Sequence, residues 1–469
     1  MNPLHYIAGL ALCPLLLCGC TLGPDYHGPA AVTPTALNSE FARGGADTRQ
    51  AAPVATNWWH ALADAQLDAL IDTALADSPD LAAAQARVRQ ARAGLALQHS
   101  DGQPKVGASA AYVHAGSAAD TPATELFLAG FDASWELDLF GGNRRAVEAV
   151  SAEAQATQNE LADAQVQLAA EVALAYVSLR DQQQRVALAR QSQALEDQTL
   201  SLTEQRRSGG TASQLDLERI QTQVDSTRAS IIALDAQVAE SLDQLALLCG
   251  QVPAALDSRL SQPRPLPTLP ATVAIGDPAQ LLRQRPDIRA AERRLASRTA
   301  QIGEQRAGAF PRVTLFGSLS FDASEPGHLL RKDSLGWLGV PYLQWNLLDF
   351  GRNAAKVNQA EAGRDEAQAR YNATVLGALR DANVALSRYG HERQNAVALA
   401  QVEASATRAA TLTQQRYRAG TSTALGWLDA ERTRYSAQQN RVQSQAQLLK
   451  NYIALQKSLG LGWQPSTLR

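Results

Sequence analysis

The sequence predicts a mostly α-helical chain with a transmembrane β part, arranged as a tandem internal duplication. Three observations lead there. The 469 residues are crowded with Ala, Gln, Leu, Arg and Glu, with one Met and 5% aromatics, the composition of long helices. The stretch FDASWELDLFGGN, Phe131 to Asn143, alternates with a period of two: Phe131, Ala133, Trp135, Leu137 and Leu139 oppose Asp132, Ser134, Glu136 and Asp138. Displacing the chain by 210 positions lays Trp135 on Trp345, Phe140-Gly141 on Phe350-Gly351, Gln205-Arg206 on Gln415-Arg416, Gly210-Thr211 on Gly420-Thr421 and Gly250 on Gly460. A displacement of 207 aligns the preceding part, with Ser78-Pro79-Asp80-Leu81 on Arg285-Pro286-Asp287-Ile288 and Pro104-Lys105-Val106 on Pro311-Arg312-Val313.

Residues 1–19 read as a signal peptide. Leu10 to Leu17 is apolar apart from Cys13 and Pro14, too short to span a bilayer, and runs into Leu17-Cys18-Gly19-Cys20. This resembles the lipobox of bacterial lipoproteins, although the MNPLHY start lacks Lys and Arg. The resemblance implies an N-acyl diacylglycerol, palmitate included, on Cys20, and Thr21 after it implies sorting to the outer membrane. The alternative is a small-residue cleavage site with an incidental cysteine. Cys249 then stands alone, so no intrachain disulfide is expected, and neither a metal nor a cofactor is called for. Past residue 20 there is no apolar run of about 18 residues, which leaves lipid tethering or a β-barrel as ways to hold a membrane.

The elements come in order. Residues 20–77 hold the N-terminal segment, Trp58-Trp59 and a helix from Asp64 to Ala76. The first copy, 78–250, opens on a helix at Pro79, where a first-turn proline loses no hydrogen bond and Asp80 meets the positive dipole end. Two strands, about 104–115 and 126–140, precede a long helix 143–207 and a second helix 211–249. The long helix contains no proline, and Val147, Val150, Ala154, Thr157, Leu161, Ala164 and Leu168 trace a coiled-coil seam. At ~1.5 Å per residue it would reach about 100 Å. Gly209-Gly210 breaks it, and Thr211 or Ser213 can cap the second helix. A proline-rich stretch, 251–278, reads as an extended linker. The second copy, 285–460, repeats the plan with a helix from Pro286, strands about 311–322 and 335–350, a long helix 353–418 and a helix 421–459, before the tail 461–469.

Four strands cannot close a membrane barrel, for which about eight is the minimum. Several chains must share one, and three would supply twelve strands. CTLGPDY after the lipobox, NWWHALAD at Asn57, the DLFG and DFGR junctions, RRSGGTASQLD paired with RYRAGTSTALGWLDAER, and the terminal LGLGW together resemble the lipoprotein, NodT-like branch of the TolC and OprM outer-membrane factors. That resemblance spans the mature chain. It implies a homotrimer with a twelve-stranded β-barrel continuous with a twelve-helix coiled-coil α-barrel in the periplasm of a Gram-negative cell. It further implies the passive exit duct of a tripartite efflux system for small molecules such as drugs, with a periplasmic membrane-fusion adaptor and an inner-membrane transporter of the resistance-nodulation-division (RND) class as partners.

By the same resemblance, Leu425 would form an apolar constriction and Asp429 an acidic ring at the periplasmic gate. Tyr417 and Arg432 would bond neighbouring helices, and Gly210 and Gly420 would mark turns that meet the adaptor. Leu425, Asp429 and Arg432 share a helix face by their spacing, and three carboxylates near one axis would repel unless bound to a cation. The alternatives are a solvated helix charge and plain helix stops. The apolar face of Phe131 to Leu139 should meet lipid, while Asp132, Glu136 and Asp138 should line the lumen. In copy two Gln344 and Asn346 take the places of Ser134 and Glu136, so the charge is not required at every strand.

Other classes fare less well. The 43 basic and 46 acidic residues leave a formal net charge of −3, so nucleic acid is not an expected partner. Seven scattered histidines and the absence of HExxH, Walker and GxSxG motifs argue against an enzyme. Arg87-Val88-Arg89 and Glu292-Arg293-Arg294 read as helix-surface charges. The same duct serving type I protein secretion or metal-ion efflux, and a lipid-tethered coiled-coil scaffold without membrane strands, remain as alternative readings.

Overall fold

A computed structural model describes residues 21–29, 48–49, 57–116, 124–270, 273–274 and 284–463. The expected signal peptide, residues 1–19, and Cys20 lie outside the described residues. In order, the strands are β1 (Thr48–Arg49), β2 (Lys105–Ala115), β3 (Thr124–Leu137), β4 (Val273–Ala274), β5 (Arg312–Ala323) and β6 (Leu335–Gln344). The α-helices are α1 (Ala65–Asp77), α2 (Pro79–Asp101), α3 (Gly142–Ser208), α4 (Gln214–Leu248), α5 (Asp257–Leu260), α6 (Pro286–Ala307), α7 (Arg352–Arg418) and α8 (Ala424–Ser458). The two copies thus each give a leading helix, two strands, a 67-residue helix and a 35-residue helix. No described helix is long and apolar enough to cross a membrane.

The chain divides into two compact units. The first gathers residues 1–31, 86–159 and 289–373 and contains a four-stranded antiparallel sheet in the order β2-β3-β5-β6. Phe131 pairs with Ala108 and Leu319, and Leu319 in turn with Trp337, so the apolar face continues across all four strands. The outer edges of β2 and β6 have no strand partner among the described residues.

The second unit gathers residues 32–85, 160–288 and 374–469 and holds the core. Asp64 caps α1, its Oδ1 accepting from Gln66 N at 2.9 Å and Leu67 N at 3.2 Å. This turns Leu67, Leu70 and Ile71 fully inward. They meet Trp58, Trp59, Tyr176, Leu179, Leu245, Tyr452 and Ile453 in one cluster. Trp58 stands edge-on to Trp59 at 5.7 Å and to Tyr452 at 6.1 Å. Arg180, 0% exposed, organises the polar part. Its guanidinium donates to Gln66 Oε1 at 2.5 Å, Gln183 Oε1 at 2.6 Å and Gln262 O at 2.8 Å, and stacks over Tyr176.

Several expectations shift. The linker is not extended throughout: α5 forms within it, buries Leu256 and Leu260, and β4 pairs in parallel with β1. In its first half α3 buries Ala146, Ala149, Ala152 and Ala156, whereas Val147, Val150, Ala154 and Thr157 of the expected seam are half-buried; further along, Leu161, Ala164 and Leu168 of that seam do pack into the core of the second unit. Small side chains let neighbouring backbones approach, so alanine takes the inner stripe and the larger residues flank it. Glu292 and Arg293 are part-buried, ion-paired to each other and bonded to Tyr26 rather than standing as free surface charges. Strands β3 and β6 end earlier than expected, at Leu137 and Gln344, because the next residues turn to start the long helices.

Replacing Arg180 with Ala removes three charge-assisted hydrogen bonds, two of them to the buried Gln66 and Gln183, and should lower stability by about 3 kcal/mol, read as a shifted denaturation midpoint. Burial pushes Tyr176 and Tyr452 up to about 12. A tyrosine whose folded value is raised stabilises below its unfolded value near 10 and loses that contribution as pH climbs toward 12. Absorbance titration should show these two phenols ionising well above the free tyrosine value, with unfolding setting in over that window.

Candidate functional site

The first candidate surface is the sheet. Asp132 and Glu136 share a face with Lys105, Ser109, Ser134, Arg312, Thr314, Ser318, Ser320 and Gln344. Asp132 accepts from Ser109 Oγ at 3.1 Å, and Arg312 Nε lies 4.0 Å from Glu136. Phe316, Leu338 and Val340 interrupt this face with apolar side chains. On the opposite face Val106 is 70% and Trp337 82% exposed. Exposed apolar area of this extent marks a surface that water is not meant to cover.

Asp138 corrects the lumen-facing expectation. It lies one residue past β3, where its Oδ1 accepts from Asn143 N at 3.0 Å and its Oδ2 from Arg144 N at 2.9 Å, capping α3. Asp349 does the same for α7, accepting from Gly351 N at 3.0 Å and Asn353 N at 2.8 Å, which holds its carboxyl below the usual range. The two acids are not aligned by the 210-residue displacement, yet both complete the turn from sheet to helix. Copy two reaches the turn with a positive φ at Phe350 as well as Gly351; copy one uses Gly141. Trp135 Nε1 donates to Gly102 O at 3.0 Å and Trp345 Nε1 to Ala309 O at 3.1 Å, so a tryptophan ties the sheet to the end of the leading helix in each copy.

The second candidate surface is the pair of interhelical turns. At Gly210, φ is 73°, Gly210 N donates to Arg207 O at 2.9 Å and Thr211 N to Arg206 O at 2.8 Å. At Gly420, φ is 74°, Gly420 N donates to Tyr417 O at 3.0 Å and Thr421 N to Arg416 O at 2.9 Å. A Cβ added at either glycine would meet nothing within 4 Å, so the left-handed backbone, not crowding, requires glycine. Thr211 and Thr421 bond back to the preceding helix, and Ser213 and Thr423 are the caps of α4 and α8. The expected helix starts at 211 and 421 therefore move to 214 and 424.

The caps differ. Ser213 and Asp216 form a reciprocal capping box, whereas Thr423 accepts only from Gly426 N, and no acid stands three residues on. Beyond Thr423, Leu425 is half-buried and Asp429 exposed. Arg432 Nη2 donates to Asp429 Oδ1 at 2.7 Å, one turn along the same helix. Within the chain Arg432 therefore serves Asp429 instead of a neighbouring helix. Tyr417 does reach across: its ring stacks on Trp427 at 5.3 Å and receives Arg206, on α3, at 5.8 Å. Neither Trp427 nor Arg206 stands out in the sequence, although Trp427 sits two residues before Asp429.

The family profile described as "Outer membrane efflux protein" matches residues 70–251 and again 278–461, once for each copy. The chain belongs to this family. It is 32% identical over 459 residues to "Outer membrane protein OprJ" of Pseudomonas aeruginosa, covering 96% of this chain and 94% of that one. It is 32% identical to "Pyoverdine export outer membrane protein OpmQ" of the same organism, covering 97% and 96%. The solved outer-membrane channel OprN superposes with a TM-score of 0.87 at 35% identity, over 95% of this chain and 100% of that one. As an outer membrane efflux protein, the chain is a channel component of the Gram-negative outer membrane whose helical part extends into the periplasm. Its fold is that of TolC-like channels, mostly helical with four membrane strands per chain.

Removing the box with Ser213→Ala should cost about 1 kcal/mol and speed amide exchange in the first turn of α4. Thr423→Ala, with a single bond to lose, should change the first turn of α8 by a smaller factor in the same exchange experiment.

Proposed function

We propose that three copies of this chain close one twelve-stranded barrel in the outer membrane and continue it as a twelve-helix tube. This assembly is the passive exit duct of a tripartite efflux system for small molecules such as drugs. One observation carries the reading: a sheet with an exposed apolar face and two edges, β2 and β6, that are unpaired among the described residues. In a bilayer every unpaired backbone group costs several kcal/mol, so the edges must pair with those of other copies. The channel performs no bond chemistry. Its work is to open when a periplasmic adaptor docks, while an inner-membrane transporter of the RND class supplies the energy. Cys20 carries the N-acyl diacylglycerol that tethers each chain.

Asp132 and Glu136 give the lumen an acidic tint that favours cations. Leu425 narrows the periplasmic end and Asp429 rings it with charge. With Arg432 already bonded to Asp429 on its own helix, a neutral residue at 429 frees the guanidinium and removes the ring. The stacked Tyr417 and Trp427, with Arg206, tie the second turn to the first copy's long helix.

In planar bilayers the purified protein should form channels, and Asp429→Ala or Leu425→Ala should raise single-channel conductance several-fold while the heat-modifiable trimer persists. A soluble, nonconducting protein after delipidation would overturn the reading. A bulky residue at Gly210 or Gly420 should abolish drug export and leave trimer and conductance intact, and unchanged export would contradict adaptor contact there.

A further inference from the structure

The stretch Thr21–Tyr26 is held against the first unit by residues of both copies, Phe140, Gly141 and Arg145 of the first and Glu292, Arg293 and Gly303 of the second. Arg145, in the first turn of α3, has a side chain 4% exposed. Its Nε donates to Leu22 O at 3.0 Å, its Nη2 to Gly23 O at 3.4 Å and to Asp25 Oδ1 at 2.6 Å, and its Nη1 to Glu148 Oε2 at 2.7 Å. Leu22 N donates to Phe140 O at 3.4 Å. A Cβ added at Gly303, in α6, would stand 2.5 Å from Leu22 O, and one at Gly141 would stand 2.9 Å from Thr21 Cα. Tyr26 Oη donates to Glu292 Oε1 at 2.7 Å, and Arg293 lies over its ring.

The duplication shows that this groove is specialised. The 210-residue displacement sets Ala355 opposite Arg145. The 207-residue displacement sets Ala96 opposite Gly303, Gln85 opposite Glu292 and Ala86 opposite Arg293. The counterpart groove therefore has no guanidinium to meet the carbonyls and carries a methyl group where Leu22 O approaches closest. A segment with no helix or sheet ladder of its own must find partners for its carbonyls elsewhere. One planar guanidinium meets two of these carbonyls, the Asp25 carboxylate and Glu148 at once, four bonds where a lysine has three N–H groups to give.

We propose that this groove is the docking site of the N-terminal segment, and that Arg145 is the positioning residue that holds the acyl-bearing end of the chain at the joint between sheet and helix. The inference rests on acylation of Cys20, one residue before Thr21. A lipid on a free tether sets no depth, whereas a tether clasped beside Phe140 and Gly141 brings lipid and strands to one membrane level. Arg145 also holds the Asp25 carboxyl below its ordinary value, so that contribution persists above the carboxylate range and fades only as pH falls through the lowered value.

The test uses the full chain in outer-membrane fractions, with Arg145→Ala, Arg145→Lys and Gly303→Leu. Palmitate incorporation reports acylation, and amide exchange reports docking. Exchange over Leu22–Tyr26 should quicken about tenfold in Arg145→Ala and Gly303→Leu, with Arg145→Lys intermediate, while palmitate labelling and protection of β3 and β5 match the wild type. Unchanged protection of Leu22–Tyr26 in both variants would overturn the clasp, as would a loss of protection that spreads to β3 and β5. A wild type that takes up no palmitate would refute the lipid anchor, and the exchange result would still decide the clasp.

Discussion

The outward-facing N–H and C=O groups along β2 and β6 are the constraint on which the rest of this structure depends. In water they could turn to solvent; in hydrocarbon they cannot. A four-stranded sheet with an apolar face is therefore unfinished by itself, and its two edges require partners of matching length. The periplasmic architecture arises from the same requirement. Once the strands leave the membrane the chain must change from a period of two to one of 3.6, and it does so within a few residues in each copy. A carboxylate, Asp138 or Asp349, caps the new helix and a positive φ turns the backbone.

The duplication makes the joints comparable with each other. Positions that answer the shared constraint keep their roles: Trp135 and Trp345 each bond a carbonyl at the end of the leading helix, and Gly210 and Gly420 end the long helices with matching bonds. Positions that serve one place only have diverged. Arg145 is matched in the second copy by Ala355, and the Ser213 capping box by a single-bond cap at Thr423. The second turn, next to Leu425 and Asp429, thus has the weaker helix cap of the two and leans instead on the stack of Tyr417 with Trp427.

Most of the fold is legible in the sequence because periodicity and punctuation are local signals. The repeat, the strands and the long helices all appear in spacing, with Pro79, Pro286, Gly210 and Gly420 as markers. Sequence and structure part where a side chain acts across distance. Asp138 alternates as a strand residue, and only the backbone's turn reveals it as a cap. Arg180 looks like any helix arginine until α1 and the linker close over it. The expected seam on α3 meets the core at Leu161, Ala164 and Leu168 but in the helix's first half runs beside the buried alanine stripe, because alanines give a weak hydrophobic signal yet permit the closest approach. Of the turn residues, Tyr417, Asp429 and Arg432 are legible by resemblance, while the stack of Tyr417 on Trp427 requires the folded turn.

The central claim is that both open edges of the sheet are paired by other copies in the membrane. Amide exchange of the protein inserted in outer-membrane vesicles measures this directly. The account predicts that β2 and β6 are protected to the same degree as the internal strands β3 and β5; rapid exchange along either edge, with β3 and β5 protected, would contradict it.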